Sequence, residues 1–539
     1  MQTKSSVVLA VLLVLAFGIT SCAAPVSPQV VEKTVVVEKE KTVQVVVTAT
    51  PEPTPAPKTG GTLIVARAAD AKGLDPHKQT AFSSFRLLEL IYDSLLGLDA
   101  DLKVAPRLAE SWSWSNDGKT LTMQLRPNVE FHNGDLLTSA DVKFSYERIL
   151  DENTGSAARS YFTDIEAIET PDPNTVIFKL KRPNVSILAA MTNPNSAILD
   201  QKVVATEDPA KVVVGTGPFK LVNWDPDRVT TLAANQDYWM PGLPQVDGIE
   251  IRIIPDEASI LAGLRAGTID WALINDPKVA IRASGGSARL TIFRTPALAY
   301  HVLQLNSGRK PFDDVRVRQA IACAIDRQEV VDTASLGEGQ VTGPATSPFY
   351  QIPLAELFCY QKDLAKAKQL LADAGASTGL SFKIMAASDE PPTAVAEAQS
   401  IQAQLKEIGI ETEIETLELG VYVDRWLKTD FDAVVALNGG NPDPDIMFYR
   451  YWHSTGNLNK VAVYNSPDLD KLLDEAKVTQ DPEQRKGVYA QVQQTLTEAA
   501  PWVWLYVGYE YRIMQPYVKD FTPMPNGSLQ YLCDVWLDK

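Results

Sequence analysis

The feature that most limits the fold is a regular alternation of strand-like and helix-like segments between residues 380 and 437. Residues 380–386 read as a strand. Val395, Ala398, Ile401, Leu405 and Ile408 then recur at helical spacing, and Gly409 follows where a helix end favours a left-handed residue. Residues 410–417 form a second strand, 421–428 a short helix carrying Trp426, and 431–437 a third strand. A βαβαβ order implies a mainly parallel sheet with right-handed crossovers. Ligands of open α/β sheets bind beyond the carboxyl ends of the strands. That rule singles out two loops, 387–392 and 438–445. Both are rich in Pro, Gly, Asn and acids, so each alone could be a surface turn. Two such loops leaving one sheet edge favour a shared site.

The earlier part of the chain reads differently. Ser111-Trp112-Ser113-Trp114-Ser115 alternates, Asn116-Asp117-Gly118-Lys119 turns, and Leu121, Met123 and Leu125 alternate back. An Asp-Gly turn between alternating runs predicts a hairpin, with both tryptophans on its buried face. Thr138-Ser139-Ala140-Asp141 predicts a capping box opening a helix, with Val142, Tyr146 and Ile149 on one side.

The N-terminus sets the compartment. Lys4 precedes an apolar run over 7–19, too short to span a bilayer but suited to a signal-peptide core. Ile19-Thr20-Ser21-Cys22 resembles a bacterial lipobox, so residues 1–21 are read as a signal peptide and Cys22 as a lipidation site. Two or more acyl chains give stable anchoring. Residues 22–58 are Val-rich and then Pro-rich, ending in Pro51-Glu52-Pro53-Thr54-Pro55-Ala56-Pro57, a semi-rigid spacer. The net charge of −17 argues against a nucleic-acid binder, which needs a basic face. Cys323 and Cys359 could pair in this compartment; free buried thiols fit equally, because with Cys533 there are three.

Several stretches carry a resemblance when taken in order. They are Leu74-Asp75-Pro76, Phe131-His132-Asn133-Gly134, Gly215-Thr216-Gly217-Pro218-Phe219, Ala234-Asn235-Gln236-Asp237-Tyr238-Trp239, Leu264-Arg265-Ala266-Gly267-Thr268-Ile269-Asp270 and Pro311-Phe312-Asp313-Asp314-Val315-Arg316-Val317-Arg318-Gln319-Ala320-Ile321. The set resembles the family 5 extracellular solute-binding proteins of ABC importers, over nearly all of the chain after Lys58. The resemblance implies an α/β, two-lobed periplasmic-binding-protein-like fold of type II, the large three-subdomain version, with a hinge between lobes. Implied boundaries are 59–85, 205–299 and 507–539 for the first lobe, 86–204 for an inserted subdomain and 300–506 for the second lobe. Gly215, Gly217 and Pro218 are expected in a turn near the lobe crossing, and Val315, Ala320, Ile321 and Ile325 on one buried helix face. Arg316 and Arg318 are expected to pair with surface acids.

The function implied is capture of a peptide or small oligomeric solute by lobe closure, outside the cytoplasm, by a monomer that delivers it to the permease subunits of an ABC importer. An oligosaccharide is the alternative ligand. Dipeptide binders of this family hold the peptide α-amino group with an acid just before an Asp-Pro pair; here that position falls on Gly440. They hold the carboxylate with an arginine in the other loop; here Ser388-Asp389-Glu390-Pro391-Pro392 has no cation. The expected ligand-binding residues are Phe82, Ser83, Tyr300, Asp389, Asn438, Gly439, Gly440, Asn441, Asp443 and Trp452. Trp502, Trp504 and Tyr506 alternate as a buried strand face would.

The rival class is a secreted hydrolase. The chain has no Gly-x-Ser-x-Gly elbow, no His-Glu-x-x-His helix and no Walker-type loop, and His77, His132, His301 and His453 lack ligand spacing. No catalytic residue, cofactor or metal is expected.

Overall fold

The computed structural model describes residues 58–285, 289–388 and 391–539. The expected leader, Cys22, the tether as far as residue 57, Asp389 and Glu390 lie outside the described residues.

Two long antiparallel strands, Thr291–Leu305 and Trp502–Met514, lie side by side at the centre of an eleven-stranded sheet. On one flank Trp502–Met514 pairs with Trp271–Ile274, and beyond it lie Thr62–Arg67, Gly248–Ile253, Val229–Ala234 and Phe219–Asp225. On the other flank Thr291–Leu305 pairs with Ala433–Asn438, followed by Ser381–Ala387 and Glu411–Leu417. The two long strands therefore connect a first lobe to a second. Their pairing lapses between Pro296 and Tyr300 and shifts again between His301 and Val302. Breaks of this kind bend a strand and increase its twist.

The second lobe bears out the predicted alternation. Ser381–Ala387 runs parallel to both Glu411–Leu417 and Ala433–Asn438. Helix Ala394–Lys406 buries Ala398, Ile401 and Leu405 against this sheet, and Gly409 takes φ 81° just past its end. The first-lobe sheet buries Leu63, Val65, Ile249, Ile251 and Trp271. A separate four-stranded antiparallel sheet contains the predicted hairpin, Ala109–Trp114 with Thr120–Leu125, extended by Thr175–Leu180 and Ile165–Asp172. Leu121, Met123 and Leu125 face its core; Trp112 and Trp114 share one face and are half-buried against it. Helix Ser139–Leu150 adds Val142, Tyr146 and Ile149, and the Asp141 carboxylate accepts from the Thr138 N–H at 2.9 Å.

Four expectations are corrected. Gly215 and Gly217 are remote from the lobe crossing: they feed Phe219–Asp225, the outermost strand of the first-lobe flank, where the Gly217 N–H donates to the Ile91 carbonyl at 2.9 Å. Arg318 is buried and meets no acid. It donates to the Ala499 carbonyl at 2.9 Å, one of the orphan acceptors ending helix Pro482–Ala499, and to the Phe312 carbonyl at 2.6 Å. Arg316 does pair with Asp314, but Val315, expected on the buried face, is exposed at the first turn of its helix. Lastly, Leu87, Leu88, Leu90, Ile91 and Tyr92, expected in the insert, pack into the first-lobe core; the core of the four-stranded subdomain starts at Leu95 and ends at Ile198 apart from Ile446, which comes from the second lobe.

Cys323 and Cys359 form a disulfide that ties the end of helix Val315–Ala324 to the connection after Leu354–Glu356; Cys533 is free and buried.

Candidate ligand-binding site

The lobes and the insert meet around a cavity of about 260 Å³. Helix Phe82–Leu88 and the residues after it form one wall, and residues 526–528 with Gln530 extend it. The insert contributes Arg107, Tyr161 and residues 192–195. The second lobe contributes residues 439–442 and one side of helix Asp445–Trp452.

Most charged groups on this lining are occupied. Arg86 donates to Glu510 Oε1 at 2.9 Å and to the Gly527 carbonyl at 3.0 Å. Asp93 accepts from Trp239 Nε1 at 2.9 Å and Thr216 Oγ1 at 3.1 Å, and stands 3.5 Å from Arg107. Glu89 accepts from Ser528 Oγ at 2.6 Å and from the Leu529 N–H. Burial raises the Glu89 pKa above the ordinary carboxylate range, although these two donors oppose the rise. Arg450 differs: its Nε is buried without a partner, and no carboxylate among the described residues pairs with it.

Of the expected residues, Phe82, Gly439, Gly440 and Asn441 line the cavity. A β-carbon at Gly439 would sit 3.2 Å from Phe82 Cζ, so the two lobes touch there. Asn441 Oδ1 accepts from the Asp443 N–H at 3.1 Å. Ser83 lies aside, its carbonyl taken by Arg67 Nη1 at 2.6 Å. Asn438 is buried at the end of its strand, off the lining, with its amide nitrogen unpartnered.

Three residues are corrected outright. Trp452 is 1% exposed and packs on Trp502 (ring centroids 4.5 Å apart) and Trp504 (5.9 Å). Tyr300, 3% exposed, belongs to the same aromatic core, and burial pushes its hydroxyl pKa up. Asp443 is held by Arg485 through two contacts of 2.7 and 2.8 Å, and Arg485 also donates to Tyr350 and Ser186. Helix phase explains the first. Ile446, Met447, Arg450 and Tyr451 reach the cavity lining, Tyr451 from the edge of the aromatic core, where its ring lies 5.0 Å from Trp502; Phe448 and Trp452, four apart, face that core without reaching the cavity. That 3.6-residue spacing was the available signal for Arg450 and Tyr451. Nothing local pointed to Asn195 or Gln530, which reach the cavity by tertiary folding. None of the described residues of loop 387–392 lines it.

The histidines have structural surroundings. His132 Nε2 lies 3.0 Å from the Gly217 carbonyl, and burial pushes its pKa down to about 4; His77 is likewise buried and pushed down to about 4. Among the described residues, no group of three or more His, Cys, Asp or Glu could hold a metal.

The profile described as "Bacterial extracellular solute-binding proteins, family 5 Middle" matches residues 103–459. The chain belongs to family 5 of the bacterial extracellular solute-binding proteins. Members of this family are solute receptors of ABC importers rather than enzymes. The chain is 29% identical over 509 residues to a di/tripeptide-binding protein of Pseudomonas aeruginosa, covering 86% of this chain and 92% of that one. It is 28% identical over 469 residues to a glutathione-binding protein of Salmonella paratyphi A, covering 83% and 88%. Its fold matches the ABC transporter-associated periplasmic binding protein DppA of Helicobacter pylori, solved in complex with the peptide STSA. That match has a TM-score of 0.77 at 29% identity and covers 89% of this chain and 99% of that one.

Proposed function

We propose that this family 5 receptor is a monomer held by lipid at Cys22 outside the cytoplasm, where it captures a peptide or peptide-like solute by closing its lobes and passes it to ABC permease subunits. The observation that carries the reading is the composition of the cavity wall: first lobe, insert and second lobe each contribute residues. Only contacts that exist when the lobes meet can favour the closed form, so a site divided in this way couples binding to closure. The paired breaks at 296–300 and 301–302 in the strand joining the lobes supply a place to bend. On this reading the first lobe is 59–85, 205–299 and 507–539 together with the packed segment 87–92, and the second lobe is 300–506. Relatives named for di- and tripeptides and for glutathione, and a similar fold solved around a tetrapeptide, favour a peptide class over a sugar.

Native purification, gentle denaturation and mass spectrometry of what is released test the ligand class. Peptides are expected. A single tightly held oligosaccharide would replace the peptide assignment and leave the receptor role in place.

A further inference from the structure

Three residues of the cavity lining, Tyr92, Asn195 and Arg450, carry a buried side-chain polar atom without a partner, and Arg450 is the one cation among them. Arg450 stands on the cavity side of helix Asp445–Trp452, in the second lobe, with its Nε buried and unpartnered. Its lining neighbours Arg86 and Arg107 each have an acid, Glu510 and Asp93. Asn195 lines the cavity from Pro194–Ser196, in the insert, and its side-chain carbonyl is also buried without a partner. Buried polar atoms are nearly always satisfied, and a charged donor left unmet is costly. An anion supplied from outside would remove the cost. A guanidinium offers two roughly parallel N–H groups that match the two oxygens of a carboxylate.

We propose that Arg450 anchors a carboxylate of the ligand, while Asn195 accepts an N–H from the same molecule across the cleft. This rests on the receptor reading above. It places the carboxylate cation on the helix that follows the Asn-Pro-Asp-Pro loop, because loop 387–392 has no cation in its sequence. It also makes the ligand an acid with at least one N–H donor, held between lobes so that neither contact is complete until they meet.

The test is a competition among four pools offered to the full chain and read by native mass spectrometry: a tripeptide library as free acids, the same library as C-terminal amides, non-peptide organic acids, and neutral oligosaccharides. Wild type should prefer acids to the matching amides by about 30-fold or more, the size of effect that loss of a buried charge-assisted pair gives. Arg450→Gln should abolish that preference by bringing the free acids down toward the level of the amides, without lowering the melting temperature of the ligand-free chain, and Arg450→Lys should restore part of it. If Arg450→Gln weakens acids and amides alike, or keeps the preference, Arg450 is not the anchor, and the peptide reading survives. If only non-peptide acids are retained, and only with Arg450 present, the anchor stands and the peptide reading falls. Retention of neutral sugars alone, by wild type and variant equally, would overturn both.

Discussion

At the residue scale, packing constrains two positions expected to meet ligand, Asp443 and Gly440. Asp443 neutralises Arg485, both are largely buried, and Arg485 also reaches Tyr350, Ser186 and the Ala476 carbonyl. Removing one member of such a pair leaves an uncompensated charge inside. Asp443→Ala should therefore lower unfolding stability by about 3–5 kcal/mol in chemical denaturation, a larger loss than a ligand-contact residue would show. Gly440 falls at the position of the amine-binding acid in dipeptide binders, and here a β-carbon would collide with the Leu298 carbonyl. Gly440→Asp should cost about 1–3 kcal/mol through overpacking and weaken ligand binding rather than create an amine site. Unchanged stability with tighter dipeptide binding would contradict this.

At the element scale, a buried polar cluster around the Glu397 carboxylate joins helix Ala394–Lys406 to the lobe-connecting strands. His301, beside the second register shift, stacks on Tyr506 at 4.1 Å, and its Nδ1 is 2.8 Å from Glu397 Oε1. Tyr506 and Thr393 hydroxyls donate to the same oxygen at 2.7 and 2.5 Å, and Tyr422 senses the charge nearby. Burial opposes ionisation of Glu397, but His301 and these hydroxyls outweigh it and hold its pKa below the ordinary 4.5. A carboxyl depressed in the folded state stabilises fully above its unfolded value and loses that contribution as pH falls through its folded one. Glu397→Gln should thus be less stable than wild type at neutral pH, by about 1–3 kcal/mol, and the gap should narrow as pH drops below 4.5. A gap independent of pH would contradict the charge assignment. The same elements show what sequence could reveal. The parallel strands and helix Ala394–Lys406 were legible because apolar spacing records burial directly. The hairpin was legible from Asp117-Gly118. The placement of Arg318, which depends on where another helix ends, left no local trace. The site was half legible: loop 439–441 follows from topology, but aromatic identity favoured Trp452 where helix phase favours Tyr451.

At the scale of the whole molecule, the insert and the second lobe are clasped beside the cavity. Arg182 bridges Asp474 at 2.9 Å and Tyr449 at 3.2 Å, Lys477 lies 3.6 Å from Asp164, and the Val185 N–H donates to the Lys477 carbonyl at 3.0 Å. Arg182 is partly exposed, so its pair with Asp474 is worth about 0.2–1 kcal/mol. Arg182→Ala should weaken ligand affinity by a few-fold, mostly through faster release, although Arg182 is absent from the cavity wall. Unaltered release kinetics would show that the clasp does not report on closure. The central claim is that ligand and lobe closure are coupled, and small-angle X-ray scattering of the chain, stripped of ligand and then saturated with its released ligand, measures that directly. A smaller radius of gyration is expected in the saturated protein than in the stripped one. Identical profiles before and after saturation would contradict it.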